Sequence, residues 1–240
     1  MLRIFFIVLR MNFQVIYYLL KFGRQSKDID KNRDEIQKTL DKACKTIIRT
    51  GRVTVDVVGK ENIPEKDGFI FYPNHQGMFD VFMFLAYCGR SFAFVIKKEA
   101  RNIPVVKQVI RVTGSLTMDR QDIKQSVSVI KTMTEGVLNG RNYLIFAEGT
   151  RSKEGNKLLP FKGGSFKAAT KAKCPIVPCA IIDSYRPFDE KGYKPLKTAL
   201  IFLPAIYYDE YKDMSSAEIA DTVKSRIENA IEDYLSKRDA

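Results

Sequence analysis

A single histidine and an aspartate lie close together in the stretch PNHQGMFD (73–80). His75, the only histidine of the chain, precedes Asp80 by five positions. Within one continuous helix this spacing would separate the two side chains by about 140° around the axis, too far for easy contact. If His75 instead precedes a helix and Asp80 lies in its first turn, the carboxylate can reach back to the imidazole.

This arrangement would make His75 a general base. An aspartate bonded to one ring nitrogen fixes the tautomer and leaves the other nitrogen able to accept a proton. Backbone amides at the start of the helix also offer donors for a developing oxyanion. The alternative interpretation is a loop histidine that only caps the helix, and the spacing by itself favours neither.

Two further stretches contain candidate anion-binding residues. GSLTMDR (114–120) ends in Asp119 and Arg120, and the guanidinium fork of Arg120 can hold a phosphate, with a surface ion pair as the alternative. The loop AEGTRS (147–152) contains Gly149, which permits a tight turn, and the hydroxyl of Thr150 beside Arg151. This composition indicates an anion cradle, with an ordinary polar loop as the alternative.

These residues need a scaffold, and from residue 52 strand-like runs alternate with helical runs. The predicted strands are Val53–Val58, Phe69–Tyr72, Phe92–Ile96, Ser115–Met118, Tyr143–Phe146, Ile176–Ile182 and Ala199–Leu203. The predicted helices are Phe79–Tyr87, Ile103–Val112, Ile123–Leu138, Ser165–Lys171 and Ala217–Leu235. This order predicts an α/β domain with a largely parallel central sheet flanked by helices. Ligands of such sheets collect at the carboxyl ends of the strands, and the candidate residues follow strands.

Three local signals refine this scheme. Asp122 and Ser215 are each followed three positions later by Gln or Glu, which predicts two capping boxes at helix starts. In the last helix, isoleucine, valine and leucine recur every four residues from Ile219 to Leu235, which indicates a core-facing stripe. Pro178, within the run Ile176–Ile182, indicates an edge strand, a bulge or a wall that faces substrate.

The first 50 residues form a separate predicted unit, 1–50, ahead of the α/β domain at 51–240. Residues 2–22 are almost continuously apolar, and four polar residues fall on one helical stripe: Arg3, Arg10, Gln14 and Lys21. Such a helix can lie in the lipid interface with its arginines at headgroup level and its aromatic residues below. Residues 31–49 predict a second, more polar amphipathic helix.

Two other interpretations of the first helix compete with the interfacial one. A spanning helix would place Arg10 near the bilayer centre, at a cost of roughly 2.5–3.5 kcal/mol. A cleaved signal peptide needs a small-residue cleavage site, which the stretch KFGR (21–24) does not offer. Interfacial binding is therefore favoured over spanning.

Charge and composition limit the functional classes. The formal charge is +12, and residues 1–60 contain 13 Lys and Arg against 6 Asp and Glu. A nucleic acid, an anionic membrane surface or an acidic partner is therefore expected, and charge alone does not choose among them. Four scattered cysteines without a CxxC pair indicate a reducing compartment, and a single histidine argues against a Cys/His zinc site. The chain contains no Gly-x-Ser-x-Gly elbow, no P-loop and no Gly-x-Gly-x-x-Gly fingerprint.

Four short motifs together resemble a known family. NHQGMFD (74–80), GSLTMDR (114–120), FAEGTRS (146–152) and VPCAI (177–181) are similar, in order and spacing, to the four blocks of the glycerolipid acyltransferases. These are the PlsC-type 1-acyl-sn-glycerol-3-phosphate acyltransferases and their relatives. The resemblance covers residues 52 to 185.

The resemblance implies a direct acyl transfer from acyl-CoA or acyl-acyl carrier protein to the free sn-2 hydroxyl of a lysophosphatidic acid. It implies that His75 removes the hydroxyl proton while Asp80 orients the ring. It implies no metal and no cofactor beyond the thioester co-substrate. By the same resemblance, residues that bind the acceptor's phosphate or shape its loop are Lys97, Lys98, Arg120, Glu148, Gly149, Thr150 and Arg151.

Several alternatives stay open at this stage. The acceptor could be glycerol 3-phosphate or another lysophospholipid, and the donor could be the acidic acyl carrier protein. A basic, non-catalytic module that binds membranes or nucleic acid is the rival from another class. Under the enzyme interpretation we expect no nucleic-acid partner and a peripheral or monotopic location on the cytoplasmic face of a membrane.

Overall fold

The computed structural model describes residues 2–119 and 122–239, which contain nine α-helices and seven strands. The helices are α1 (Leu2–Gln25), α2 (Arg33–Thr50), α3 (Phe79–Tyr87), α4 (Pro104–Thr113), α5 (Ile123–Leu138), α6 (Lys167–Ala172), α7 (Arg186–Asp189), α8 (Tyr208–Tyr211) and α9 (Ser216–Asp239). The strands are β1 (Val53–Val58), β2 (Ile70–Pro73), β3 (Ala93–Lys97), β4 (Leu116–Met118), β5 (Tyr143–Leu144), β6 (Ile176–Ile182) and β7 (Leu196–Phe202).

The strands form one sheet in the order β1-β7-β6-β2-β5-β3-β4. All neighbouring strands run parallel except β6 and β7, which are antiparallel. The predicted α/β fold with a largely parallel sheet is therefore confirmed. Strand β5 is two residues shorter than predicted, since Phe146 already accepts a turn hydrogen bond from Gly149 N.

Alternate residues of the sheet pack into two apolar layers, one on each face. On one face, Ile70 and Tyr72 of β2 pack with α5 and α9. The predicted stripe of α9 is buried from Ile219 to Ile231 and partly buried at Leu235. On the other face, Phe71 of β2 packs with α2 and α3. A strand covered on both faces has no solvated side, which explains its continuous apolar sequence.

The local signals in the sequence have mixed outcomes. Ser215 and Glu218 exchange both hydrogen bonds of a capping box, as predicted. The Asp122 side chain accepts from Gln125 N, but the Gln125 side chain accepts from Asp119 N, so the second box is only half formed.

Pro178 does not mark an edge, because β6 lies between β2 and β7. The pairing with the β7 segment joins Cys179 to Phe202 and Ile176 to Ile206. The β7 side therefore carries one residue more than β6 across this interval. This is a bulge, one of the three predicted possibilities.

Several members of the polar stripe of α1 bond to the rest of the protein, although Arg10 and Gln14 are exposed. The buried Arg3 guanidinium donates to the carbonyl oxygens of Gly51 and Lys194, the latter at 2.9 Å. Arg10 donates to Tyr193 Oη at 2.9 Å. The expectation of a headgroup position is wrong for Arg3, because carbonyl groups at the end of α2 and before β7 bind its guanidinium, whereas Arg10 is exposed.

The opposite side of α1 is apolar and exposed. Its exposed residues include Leu2, Ile4, Phe5, Val8, Leu9, Phe13, Ile16, Tyr17 and Leu20. Within the described residues, no helix taken singly has the length and apolar character needed to cross a bilayer. The two parts of α1, Leu2–Met11 and Ile16–Gln25, meet at 71° and reach that length and composition only together.

Candidate active site

The loop between β2 and α3 brings His75 and Asp80 into contact. His75 Nδ1 lies 2.7 Å from Asp80 Oδ2, and Asp80 is in the first turn of α3 and fully buried. The contact predicted for a histidine that precedes the helix is therefore present. Because Asp80 can only accept when ionised, Nδ1 carries the proton and Nε2 is the ring nitrogen with a free lone pair.

The Asp80 carboxylate is surrounded by donors. Oδ2 also accepts from the backbone N–H of Gln76 at 2.8 Å and of Gly77 at 3.1 Å, and Oδ1 accepts from Ser184 Oγ. Four donors compensate the loss of water around this buried charge. The expectation that amides at the helix start would serve an oxyanion is wrong for Gln76 and Gly77, whose N–H groups hold Asp80 instead.

The loop that follows β5 also contacts His75. The Phe146 ring stacks on the imidazole with centroids 3.9 Å apart. Glu148 Oε1 accepts from His75 N at 2.6 Å, and Ser152 N donates to His75 O at 2.8 Å. These contacts fix the backbone of His75 against the loop after β5.

The Glu148 carboxylate binds backbone N–H groups of the protein itself. It is 2% exposed, and its second oxygen accepts from Leu159 N at 2.8 Å. Burial raises the pKa of Glu148, and the two backbone donors offset part of that rise. Both oxygens are occupied, so this carboxylate shapes the loop and does not face a ligand.

The cationic candidates lie along one edge of the sheet. Strands β2, β5, β3 and β4 are adjacent and parallel, so the residues that follow them share the carboxyl edge. Arg151 and Thr150 are exposed, and Arg151 lies 3.4 Å from Asp189. Lys97 ends β3, is exposed and pairs with Glu99 at 3.4 Å, and Lys98 beside it is exposed. Arg120 lies outside the described residues.

Distances along the sheet differ between these cations. Arg151 belongs to the loop that is hydrogen-bonded to His75 through Ser152. Strand β3 is the second strand from β2, which places Lys97 about 10 Å from β2, measured across the strands of the sheet. The structure thus brings Arg151 close to the histidine loop and leaves the lysine pair further out.

Lys162 adds a further cation beside this loop. Gly149 has a φ of 74°, and a Cβ atom on it would lie 2.9 Å from Lys162 Nζ. Lys162 N also donates to Ala147 O at 2.9 Å. Gly149 is therefore favoured chiefly by its left-handed backbone, with the Lys162 side chain lying close beside it.

A cavity of about 340 Å³ borders the same loop. Its apolar lining includes Val95, Met118, Ile130, Ile145 and Phe146, and its polar lining includes Lys162, Lys167 and Lys171. A mainly apolar cavity with a few polar groups is typical of small-molecule sites. Within residues 2–119 and 122–239, no three His, Cys, Asp or Glu side chains are grouped so that they could hold a metal ion.

A polar network behind His75 and Asp80 was missed by sequence reasoning. Gln76, Asn156, Asp183 and Ser184 are joined by hydrogen bonds between side chains and backbone. The available signal was the polar pair Asp183-Ser184 directly after the buried strand β6, at the same sheet edge as His75.

The sequence of this chain is similar to those of known acyltransferases. The Acyltransferase family model matches residues 54–182. A 1-acyl-sn-glycerol-3-phosphate acyltransferase of Helicobacter pylori is 30% identical over 199 residues, which are 82% of this chain and 79% of that protein. A chloroplastic 1-acyl-sn-glycerol-3-phosphate acyltransferase of Brassica napus is 35% identical over 128 residues, 53% of this chain and 37% of that protein.

A solved structure is similar over nearly the whole chain. The crystal structure of the 1-acyl-sn-glycerophosphate acyltransferase PlsC from Thermotoga maritima matches with a TM-score of 0.82 and 25% sequence identity. The match covers 98% of this chain and 95% of that chain, so it includes the N-terminal helices as well as the sheet.

Proposed function

Because this chain belongs to the acyltransferase family, we propose that it moves a fatty acyl group from a thioester to the sn-2 hydroxyl of 1-acyl-glycerol 3-phosphate, with His75 as general base. The products are phosphatidic acid and a free thiol. The observation that carries the proposal is the 2.7 Å contact between His75 Nδ1 and Asp80 Oδ2, within the matched region.

The chemistry follows from the direction of that contact. Nε2 of His75 removes the proton from the acceptor hydroxyl as the oxygen attacks the thioester carbonyl carbon. The carbon–sulfur bond then breaks, and the departing thiolate takes the proton from the imidazolium. Asp80 keeps the ring oriented and stabilises its positive charge. A thioester is already activated, so one oriented base is sufficient.

The acceptor's phosphate is assigned to Arg151, with Lys97, Lys98 and Arg120 as further cations. Arg151 is half exposed and its pair with Asp189 is long, so that pair contributes only about 0.2–1 kcal/mol. A phosphate can displace Asp189, because a guanidinium binds it through two parallel hydrogen bonds. Asp189→Asn should therefore lower the apparent KM for the acceptor a few-fold.

The fatty acyl chain of the donor is assigned to the apolar cavity beside Phe146. Phe146 belongs both to the cavity lining and to the stack on His75, so a chain in the cavity would end near the imidazole. Substitution of Ile130 by Phe should shift the preferred acyl chain to a shorter length, because it fills part of that volume.

We assign the exposed apolar side of α1 to a membrane surface, as a peripheral or monotopic association on the cytoplasmic face. An apolar face of α1 is exposed, and each Leu or Phe that becomes fully buried contributes about 1.5–3 kcal/mol. The net charge of +12 favours an anionic surface. This location also gives direct access to a lysophospholipid acceptor.

The test is release of free thiol from acyl-CoA by purified protein supplied with lysophosphatidic acid. Parallel reactions with glycerol 3-phosphate, with lysophosphatidylcholine and with acyl-acyl carrier protein identify the acceptor and the donor. His75→Ala should abolish turnover while the protein stays folded. The protein's own thiols should interfere little, because burial raises the pKa of Cys88 and of Cys174 to about 12.

Two results would contradict the proposal. If His75→Ala retained near-wild-type transfer, another group would be the base. If wild-type protein transferred no acyl group to any acceptor but bound DNA or RNA at physiological salt, the chain would be a basic binding module.

A further inference from the structure

Ser184 hydrogen-bonds to the carboxylate oxygen of Asp80 that His75 does not contact. It follows β6, is completely buried, and its Oγ donates to Asp80 Oδ1. Asp80 Oδ2 accepts from His75 and from two backbone N–H groups, and Ser184 donates to the other oxygen, Oδ1.

We propose that Ser184 is a positioning residue for the acyl transfer, which holds the Asp80 carboxylate in the plane that keeps the proton on His75 Nδ1. The proposal rests on the proposed function. The last torsion of an aspartate is broad, so the carboxylate plane is set by its hydrogen bonds and not by the side chain's own preference. With Oδ1 released, the carboxylate can rotate, and its bond to Nδ1 becomes longer and less aligned.

Gln76 fixes Ser184 itself. The Oε1 atom of Gln76 accepts from Ser184 N at 2.8 Å, and Ser184 Oγ lies 3.0 Å from the same atom. A hydroxyl has one proton, and the charged Asp80 oxygen is the stronger acceptor. The backbone bond to Gln76 therefore sets the position of Ser184, while the hydroxyl proton goes to Asp80.

The network continues to the last helix of the chain. Gln76 Nε2 donates to Asn156 Oδ1 at 2.8 Å, and Asn156 Nδ2 donates to Asp183 Oδ1 at 2.9 Å. Arg238 of α9 donates to Asp183 Oδ2 at 2.7 Å. Ser184 is thus held between a loop, the end of a central strand and α9, which makes it a rigid support.

The chain offers a direct measurement, because His75 is its only histidine. Nitrogen NMR of protein labelled at histidine, prepared without a histidine tag, reports the tautomer of one ring. We expect the Nδ1–H form to dominate in wild type. In Ser184→Ala the Nε2–H form should gain population, whether or not the enzyme turns over.

Kinetics supply a second readout. In Ser184→Ala we expect kcat to fall roughly 10- to 100-fold, the factor that one hydrogen bond to a charged group contributes. The KM values for donor and acceptor should change little, since Ser184 touches neither. In an Asp80→Ala background the same substitution should have no further effect, because its target is gone.

Controls separate positioning from stability. Tyr211→Phe removes a buried hydroxyl that donates to the carbonyl groups of Ala169 and Cys174, before the start of β6 and so at the opposite end of that strand from Ser184, and should leave kcat and the tautomer unchanged. If Ser184→Ala does not fold, Ser184→Cys replaces the hydroxyl by a weaker donor and should show the same changes to a smaller extent.

An unchanged tautomer together with an unchanged kcat in Ser184→Ala would overturn the proposal. So would equal losses of kcat in the wild-type and Asp80→Ala backgrounds, which would indicate a general structural effect. Absence of turnover in wild type would instead overturn the proposed function, and the NMR comparison would still decide the role of Ser184.

Discussion

Substitution of Asp80 by Asn tests how much of the catalytic effect comes from charge. An asparagine side chain at position 80 can keep every hydrogen bond that the Asp80 carboxylate makes. The amide oxygen can take the position of Oδ2, which accepts from His75, Gln76 N and Gly77 N, and the NH₂ group can donate to Ser184 Oγ. The Nδ1–H tautomer is therefore retained, and only the negative charge is removed.

The size of the effect follows from the separation of the two charges. For unit charges about 4 Å apart and an effective dielectric constant of about 20, the interaction is about 4 kcal/mol, or roughly a factor of 10³ in rate. The retained hydrogen bond recovers part of this, so we expect kcat to fall roughly 10²- to 10³-fold. A loss near 10⁴-fold is known where an Asp-to-Asn change also selects the wrong tautomer.

The assay is the initial rate of thiol release at saturating donor and acceptor. The control is Asp80→Ala, which removes both charge and orientation and should be about tenfold slower than Asp80→Asn. A rate for Asp80→Asn close to wild type would show that the charge of Asp80 does not stabilise the imidazolium. A rate as low as that of His75→Ala would show that the amide turns its NH₂ group toward Nδ1.

Three further outcomes are expected. Arg151→Ala should raise the apparent KM for the phosphorylated acceptor about tenfold with kcat little changed, since the guanidinium binds a group remote from the reacting bond; an unaltered acceptor KM would remove it from that role. Burial raises the pKa of Glu148 above 4.5, so the folded state binds this proton more readily than the unfolded chain. Its contribution to stability therefore falls as pH rises from the unfolded pKa of this carboxyl to its higher folded pKa. Denaturant unfolding of Glu148→Gln should lack that slope and, at neutral pH, be less stable by about 1–3 kcal/mol because one backbone N–H loses its acceptor, whereas equal stability would argue against the two-donor geometry. Binding to anionic vesicles should weaken, without loss of folding, when serine replaces three exposed residues of α1, namely Phe5, Leu9 and Leu20, and undiminished sedimentation with lipid would refute the assigned membrane face.

Elements and local contacts could be predicted from the sequence. The bounds of α3, α5, β1 and β6 agree with those predicted from the apolar periodicity. That periodicity is a local property, because it depends only on residues that are neighbours in the chain. The contact between His75 and Asp80 was predictable for a similar reason. Only a loop and one helical turn lie between the two residues, so few backbone geometries are possible.

The order of the sheet was not predictable in this way. Strand β7 enters between β1 and β6 and reverses direction relative to β6, pairing with residues far away in the chain. Nothing in the alternation of apolar residues distinguishes a parallel from an antiparallel neighbour when both faces of a strand are covered.

The sequence by itself determined which polar groups would need partners, and the tertiary structure decided which partners they found. Arg3 was predicted to face lipid headgroups but bonds to carbonyl groups that end α2 and precede β7. Glu148 belongs to a loop that suggests anion binding, yet both its oxygens hold backbone N–H groups. Ser184 carried no motif at all and lies against Asp80. A buried donor or acceptor must be satisfied, and residues distant in the chain become its nearest partners only when the sheet assembles.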